Sequence, residues 1–225
     1  MTNMAHFTQR SSVAPFRVTR NRDDLVERLI DVFLRDGFAA LSIDDMARRL
    51  RCSKTTLYSV ADSKEQIIVA VVRGFFRRAT ARVEDQIVRV PAASIDRIRA
   101  YLVAISEELA PASPTFFTDL DAFAPTRELY LENTRSAAAR LQGLILEAVP
   151  AASQSEALFI GSVAASVMND IHQGEIEAAA GLDDSAAYRG LARLIVAGVE
   201  ASAIPPAELR LAAGGAVLHT HGSSE

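Results

Sequence analysis

Apolar residues recur at three- and four-residue spacing along most of the chain, and strand-like alternation closed by Asn-Gly or Asp-Gly turns is missing. The pattern predicts an all-α protein. Leu25, Val26, Leu29, Ile30 and Phe33 form one stripe, followed by Gly37 where a helix C-cap is expected. Ile43, Met46, Ala47 and Leu50 form a shorter stripe behind an N-cap at Ser42, with Asp45 three residues on. A third short segment follows Ser53. Ser63 and Gln66 read as a capping box that opens a long helix over 63–90. Its apolar side holds Ile68, Val72, Phe76, Ala79, Val83 and Ile87, and it stops before Pro91.

Caps and prolines set off the other elements. Ser94 starts a helix to about Ala110, Pro114 behind Ser113 starts a short one through Phe123, and Pro125 starts a longer one ending near Val149. Ser153 and Glu156 form a capping box for a helix over 153–179. Asp183 caps a last helix over 183–203, which Pro205 and Pro206 terminate. The connections are short, as in a helical bundle. Residues 1–18 read as a flexible arm and 204–225 as a flexible tail.

Composition narrows the classes. Of 225 residues, 49% are hydrophobic, enough for a buried core. No apolar run approaches the roughly 18–20 residues that span a bilayer, and the N-terminus lacks a secretory pattern. A cytoplasmic protein without a membrane partner is expected. The single cysteine, Cys52, excludes an intramolecular disulfide and a four-cysteine zinc site. With no phosphate loop, nucleophile elbow or metal-spaced cluster, the sequence predicts no enzyme, no metal and no cofactor. The tail pair His219 and His221 is read as part of the flexible end. The net charge of −4 conceals an asymmetry: residues 1–82 hold 15 Lys/Arg and 9 Asp/Glu, whereas 83–225 hold 9 and 19. A basic front suits a polyanionic partner.

Residues 42–61 (SIDDMARRLRCSKTTLYSVA) supply the motif. A capped helix of about eight residues, a turn of about three and a second capped helix have helix-turn-helix spacing, in which the second helix enters the major groove of DNA. That second helix opens with Ser53, Lys54, Thr55 and Thr56, all donors, at an end where free N–H groups favour phosphate. Tyr58 can donate its hydroxyl to phosphate, while Leu57 and Cys52 face Met46.

Residues 20–68 resemble the DNA-binding domain of the tetracycline-repressor (TetR) family. The resemblance rests on Phe33 before Gly37-Phe38, Ser42-Ile43, Met46-Ala47, Leu50, Ser53-Lys54, Thr56-Leu57-Tyr58 and Ser63-Lys64-Glu65. It implies a three-helix head over 19–68, joined by the long helix to a ligand-binding and dimerisation body over 69–203. It also implies a repressor, released from a near-palindromic double-stranded operator by a small-molecule effector. Ser42, Arg48, Arg51, Ser53, Lys54, Thr55, Thr56, Tyr58 and Lys64 would then lie at the DNA, Thr55 and Thr56 nearest the base edges, with Arg49 beside flanking phosphates. Two departures stand out. Ser59, Val60 and Ala61 replace the aromatic or histidine residues usual after Tyr58, and Arg51 replaces the usual turn glycine. If the backbone at Arg51 is left-handed, a side chain there costs roughly 1–2 kcal/mol.

In the rear half, Phe76, Tyr101, Phe116, Phe117, Leu120, Phe123, Tyr130, Met168 and His172 are the candidate pocket residues, a mix suited to a mid-sized organic ligand. Asp119 and Asp121 hint at a cationic one. Gly161, Ala164 and Ala165, with Leu191, Leu194, Gly198 and Ala201, are the candidate homodimer interface, since small residues permit close helix approach. Two alternatives share the motif: a TetR-like activator, and a redox-responsive regulator using Cys52, which would need an exposed, activated thiol.

Overall fold

The computed structural model describes residues 14–202. Among these the regular elements are all helices: α1 (Ala14–Asp36), α2 (Ile43–Leu50), α3 (Lys54–Leu57), α4 (Lys64–Ile87), α5 (Ile95–Leu109), α6 (Pro114–Ala122), α7 (Ala124–Ala148), α8 (Gln154–His172), α9 (Glu175–Ala180) and α10 (Asp184–Ser202). No helix among the described residues is long and apolar enough to cross a membrane.

Local chemistry explains most boundaries. The Ser42–Asp45 and Ser153–Glu156 pairs each close a full capping box. Ser63 caps α4 by accepting from the Gln66 amide, but the Gln66 side chain accepts from Asp62 N–H, so that box is only half made. Two expected boundaries differ. α1 begins at Ala14, so 14–18 are helical rather than arm; the rest of the arm, the tail over 204–225 and its histidine pair lie outside the described residues. The helix expected over 153–179 is broken at Gly174, whose φ of 75° is left-handed and cannot continue a right-handed helix.

The buried residues form two cores. The first joins α1, α2 and α3 to the front of α4 through Ile67, Ile68, Val71, Val72, Phe75 and Phe76. It runs past the boundary expected at 68 and takes in Phe116, Phe117 and Leu120 of α6. The second packs Val83 and Ile87 of α4 with residues of α5, α7, α8 and α10. α4 therefore serves both.

α6 is fastened to the end of α1. Ser113 N–H donates to the Leu34 carbonyl at 2.7 Å, and Asp119 Oδ2 accepts from Phe38 N–H at 2.6 Å and Ala39 N–H at 2.8 Å. Gly37, with φ 74°, makes this approach possible, since a Cβ there would sit 2.5 Å from Asp119 Oδ2. Gly37→Ala is expected to destabilise the protein by more than about 1 kcal/mol. Gly143→Ala, in mid-helix with open space around a new Cβ, should stabilise it by roughly 0.5–1 kcal/mol. Urea unfolding of both variants checks the pair, and equal effects would contradict the clasp.

Candidate nucleic-acid interface and ligand cavity

The helix-turn-helix is built on burial at its inner side. Met46 and Leu57 are fully buried, and Leu50 and Val60 nearly so. Val60 thus takes a core position within the Ser59-Val60-Ala61 departure, and its carbonyl accepts from Arg22 at 3.0 Å. The turn runs through Arg51, whose φ of 53° and ψ of 47° are left-handed; its N–H caps α2 on the Ala47 and Arg48 carbonyls. Cys52 is half-buried against the first core.

The outer side carries Ser42, Arg48, Arg51, Ser53, Lys54, Thr55 and Tyr58 exposed together, with Thr56 and Lys64 half-buried. Several are held by neighbours. Ser53 Oγ caps α3 on the Thr56 amide at 3.0 Å and lies 2.8 Å from Thr56 Oγ1. Lys54 Nζ meets Asp44 at 2.7 Å, and this pairing raises the lysine pKa. Arg48 meets Asp45 at 3.1 Å, and Arg49 pairs with Asp36. Hydrogen bonds from Ser42, then the charge of Arg48, hold the Asp45 carboxyl below its ordinary value. Lys64 Nζ donates to the Ala39 carbonyl at 3.0 Å. Apart from the Ser59 hydroxyl on the Thr56 carbonyl, the segment after Tyr58 adds no donor to this face.

A cavity of about 300 Å³ lies among α4, α5, α7, α8 and α10. Phe76, Tyr101, Tyr130, Met168 and His172 line it as expected from their residue types. Phe116, Phe117, Leu120 and Phe123 do not: they pack against the first core, with Phe117 stacked on the far side of His172 at 4.2 Å between ring centroids and 6° between planes. Asp119 is engaged with the Phe38 and Ala39 amides and Asp121 lines a separate small cavity, so neither offers its charge to this one. Sequence reasoning missed Thr80, Glu84, Glu108, Asn133, Arg140 and Tyr188. Polar residues three or four apart on the otherwise apolar inner sides of α4 and α7 were the available signal.

Inside, His172 Nδ1 lies 2.8 Å from Tyr130 Oη and Nε2 lies 2.5 Å from Tyr188 Oη. Burial lowers the His172 pKa to about 4 and raises that of Tyr130 to about 12. Burial likewise pushes Tyr188 and Tyr101 upward. At the other end Arg140 holds Glu84 through two hydrogen bonds, at 2.9 and 3.3 Å. No group of residues that could hold a metal occurs among the described residues.

A third feature is an apolar groove on the outer side of α8 and α10, lined by Phe159, Val163, Val167, Leu182, Leu191 and Leu194 among others. Phe159 is 69% and Leu194 74% exposed. Gly198 lines the groove too, whereas Ala201 is exposed but not part of its lining. Gly161 and Ala164, expected on this face, point inward instead. A Cβ on Gly161 would come 2.7 Å from Gln142 Nε2 and 3.2 Å from the Ala138 carbonyl, so this glycine lets α8 approach α7, and Ala164 is buried. Ala165 is half-buried beside them.

A helix-turn-helix head is thus packed on a helical body that encloses a cavity, and in a helix-turn-helix the second helix is the one that can enter a major groove. Residues 24–71 match the model of a family described as bacterial regulatory proteins, tetR family. Solved structures share its fold. A TetR-family transcriptional regulator from Streptomyces coelicolor is 19% identical, with 87% of this chain and 96% of that one covered at a TM-score of 0.57. One from Bordetella parapertussis 12822 is 23% identical, with 77% and 93% covered at 0.53. A regulator described as TerR/AcrR family, from Aquifex aeolicus VF5, is 16% identical, with 80% and 98% covered at 0.53. No curated protein matches the chain significantly.

The buried imidazole has a measurable consequence. In the unfolded chain it takes a proton near pH 6.5, in the folded one only near pH 4. Its contribution is therefore fully present above pH 6.5 and is lost as the pH falls toward 4, by up to about 3 kcal/mol. Chemical denaturation across that window should show a steeper fall for the parent protein than for His172→Phe; parallel profiles would contradict the assignment.

Proposed function

We propose that the protein is a homodimeric repressor that holds a near-palindromic operator and releases it when a small organic molecule fills the cavity. The observation that carries this reading is the exposed donor surface at the start of α3, seated on the core by Leu57. In this reading Thr55 and Thr56 meet base edges, with Lys54 beside them. Ser42, Arg48, Arg51, Ser53, Tyr58 and Lys64 then contact the phosphates, which set position rather than sequence. Arg51 accepts a left-handed backbone in exchange for a cation at the turn. Cys52 packs against the core and is read as structural, which argues against the redox alternative.

Selection from randomised duplexes, followed by mobility shifts at two salt concentrations, tests the DNA reading. A recovered duplex with two related half-sites should lose about tenfold affinity or more with Thr55→Ala. Lys54→Ala should also reduce the salt slope by about one. Equal retention of random and selected duplexes would refute it.

The occupant of the α8–α10 groove is, in this reading, the same groove of a second copy. Phe159 and Leu194 are large apolar side chains left in water, and an apolar patch of this kind marks an interaction face. A two-fold contact also gives the symmetry that two half-sites require. Phe159→Glu combined with Leu194→Glu should give a monomer in sedimentation and a weakened complex with the selected duplex. A double variant that stays dimeric would move the interface elsewhere.

Coupling runs along two helices. A ligand in the cavity touches α4 directly at Phe76, Ala79, Thr80 and Val83. It touches α6 through His172 and Phe117, and α6 carries Asp119 to the turn between α1 and α2. A shift in either helix changes the spacing of the two recognition helices, which two half-sites fix at about 34–36 Å.

A further inference from the structure

The wall of the cavity carries an unbalanced charge. Among its described lining residues, two carboxylates, Glu84 and Glu108, face one guanidinium, Arg140. Burial keeps the His172 imidazole neutral and the hydroxyls of Tyr101, Tyr130 and Tyr188 protonated at neutral pH. Arg140 is engaged with Glu84 through two hydrogen bonds, and its other ion pair, at 3.6 Å, is with Glu147, which does not line the cavity. The charge of Glu108 is left over.

The Glu108 side chain, on α5, is only 13% exposed. Among the described residues its ionic partner is Arg82, through a single contact at 3.5 Å. Arg82 is 56% exposed and does not line the cavity, and so loose a pair contributes little. A carboxylate largely withdrawn from water is costly without a close counter-ion, and a cation placed beside it offsets that cost. The position of Glu108 decides what else such a cation meets. Leu109, the next residue, reaches the first core together with Phe76 and Tyr130, whereas Tyr101, two turns earlier on α5, and Val83 belong to the second. Glu108 therefore lies toward the Phe76–Tyr130 end, away from the Glu84–Arg140 pair. Aromatic faces attract a cation that comes within about 6 Å of the ring centroid. Ala79, Ile105 and Met168 supply apolar wall around them.

We infer that the cavity takes a small organic monocation, an aromatic or apolar body carrying one protonated amine, with Glu108 as its counter-ion. This names the chemical class of the effector proposed above and rests on that reading for its regulatory meaning. One positive charge brings the lining to neutrality. A carboxylate ligand would instead add a second unpaired anion, because Arg140 is already engaged. The volume of about 300 Å³ suits a molecule of one or two rings.

The test is a matched series titrated onto the full chain by calorimetry at neutral pH: 4-(aminomethyl)biphenyl, 4-(hydroxymethyl)biphenyl and biphenyl-4-carboxylate. The amine should bind about tenfold more tightly than the alcohol or better, and the carboxylate more weakly than the alcohol. Glu108→Gln, which keeps the shape of the side chain, and Glu108→Met, which keeps its length, should each remove the advantage of the amine while changing alcohol binding less than about threefold. Glu107→Gln removes the same charge one residue away, from an exposed side chain that does not line the cavity, and should leave the preference intact. Equal binding of amine and alcohol, an advantage that survives both Glu108 variants, one that Glu107→Gln removes as well, or a series that does not bind at all would overturn the inference. Binding to the selected duplex is measured alongside. Amine binding that leaves DNA affinity unchanged would overturn the effector reading and spare the ligand class. Release by the alcohol or the carboxylate but not by the amine would do the reverse.

Discussion

Everything else in the molecule hangs on α4 belonging to two cores at once. Its front half buries Ile67, Ile68, Val71, Val72, Phe75 and Phe76 against the helix-turn-helix side, and its rear half buries Val83 and Ile87 in the body. Between them, Ala79, Thr80 and Glu84 border the cavity. An unbroken helix transmits a displacement along its axis instead of absorbing it, and close-packed cores deform in steps rather than continuously. A ligand that shifts the middle of α4 therefore works against two packed ends, and the end with less burial behind it gives way.

α6 makes that arrangement less symmetrical than the helix order suggests. It is far from the head in sequence, yet Phe116 sits in the head's core and Asp119 bonds the Phe38 and Ala39 amides. Phe38 N–H is buried, so separating α6 from the turn would strand a donor and a carboxylate. The turn and α6 are thus bound to move as a unit. Because Phe117 stacks on His172, the inner wall of the cavity leans on the same helix. The head consequently feels the cavity from two sides, along α4 and across α6.

How much of this could be read from the chain depended on whether the governing physics was local. Ser42, Ser113 and Ser153 cap the helices they preceded in sequence, because a cap involves only the next three residues. The break at Gly174 was hidden by the helix-forming run Glu-Ile-Glu-Ala-Ala-Ala that follows it. The cavity was half legible. Aromatic content singled out Tyr101, Tyr130 and His172, but the same criterion picked Phe116 and Phe123, which serve a core whose membership depends on where α6 folds back. Small residues misled for a related reason. Gly161 does mark a close helix approach, but spacing does not say which neighbour approaches, and here it is α7 of the same chain.

The electrostatics of the head bear on the proposed mechanism. Its basic excess is not a field of free cations: Lys54, Arg48 and Arg49 each have a carboxylate partner in Asp44, Asp45 and Asp36. Exposed pairs of this kind contribute little stability, so trading a carboxylate for a phosphate costs the fold little. In the proposed DNA reading, what the trade gains is counterion release from DNA, which weakens as salt rises. In the same proposed reading, loose docking is left to partner exchange, and discrimination to the uncharged hydroxyls of Thr55 and Thr56, whose positions α3 holds through Ser53 and Leu57. A shift of α3 of the size that α4 or α6 can impose leaves the flexible charged contacts free to follow, but not the short hydroxyl side chains. In that reading, loss of specific binding precedes loss of nonspecific binding.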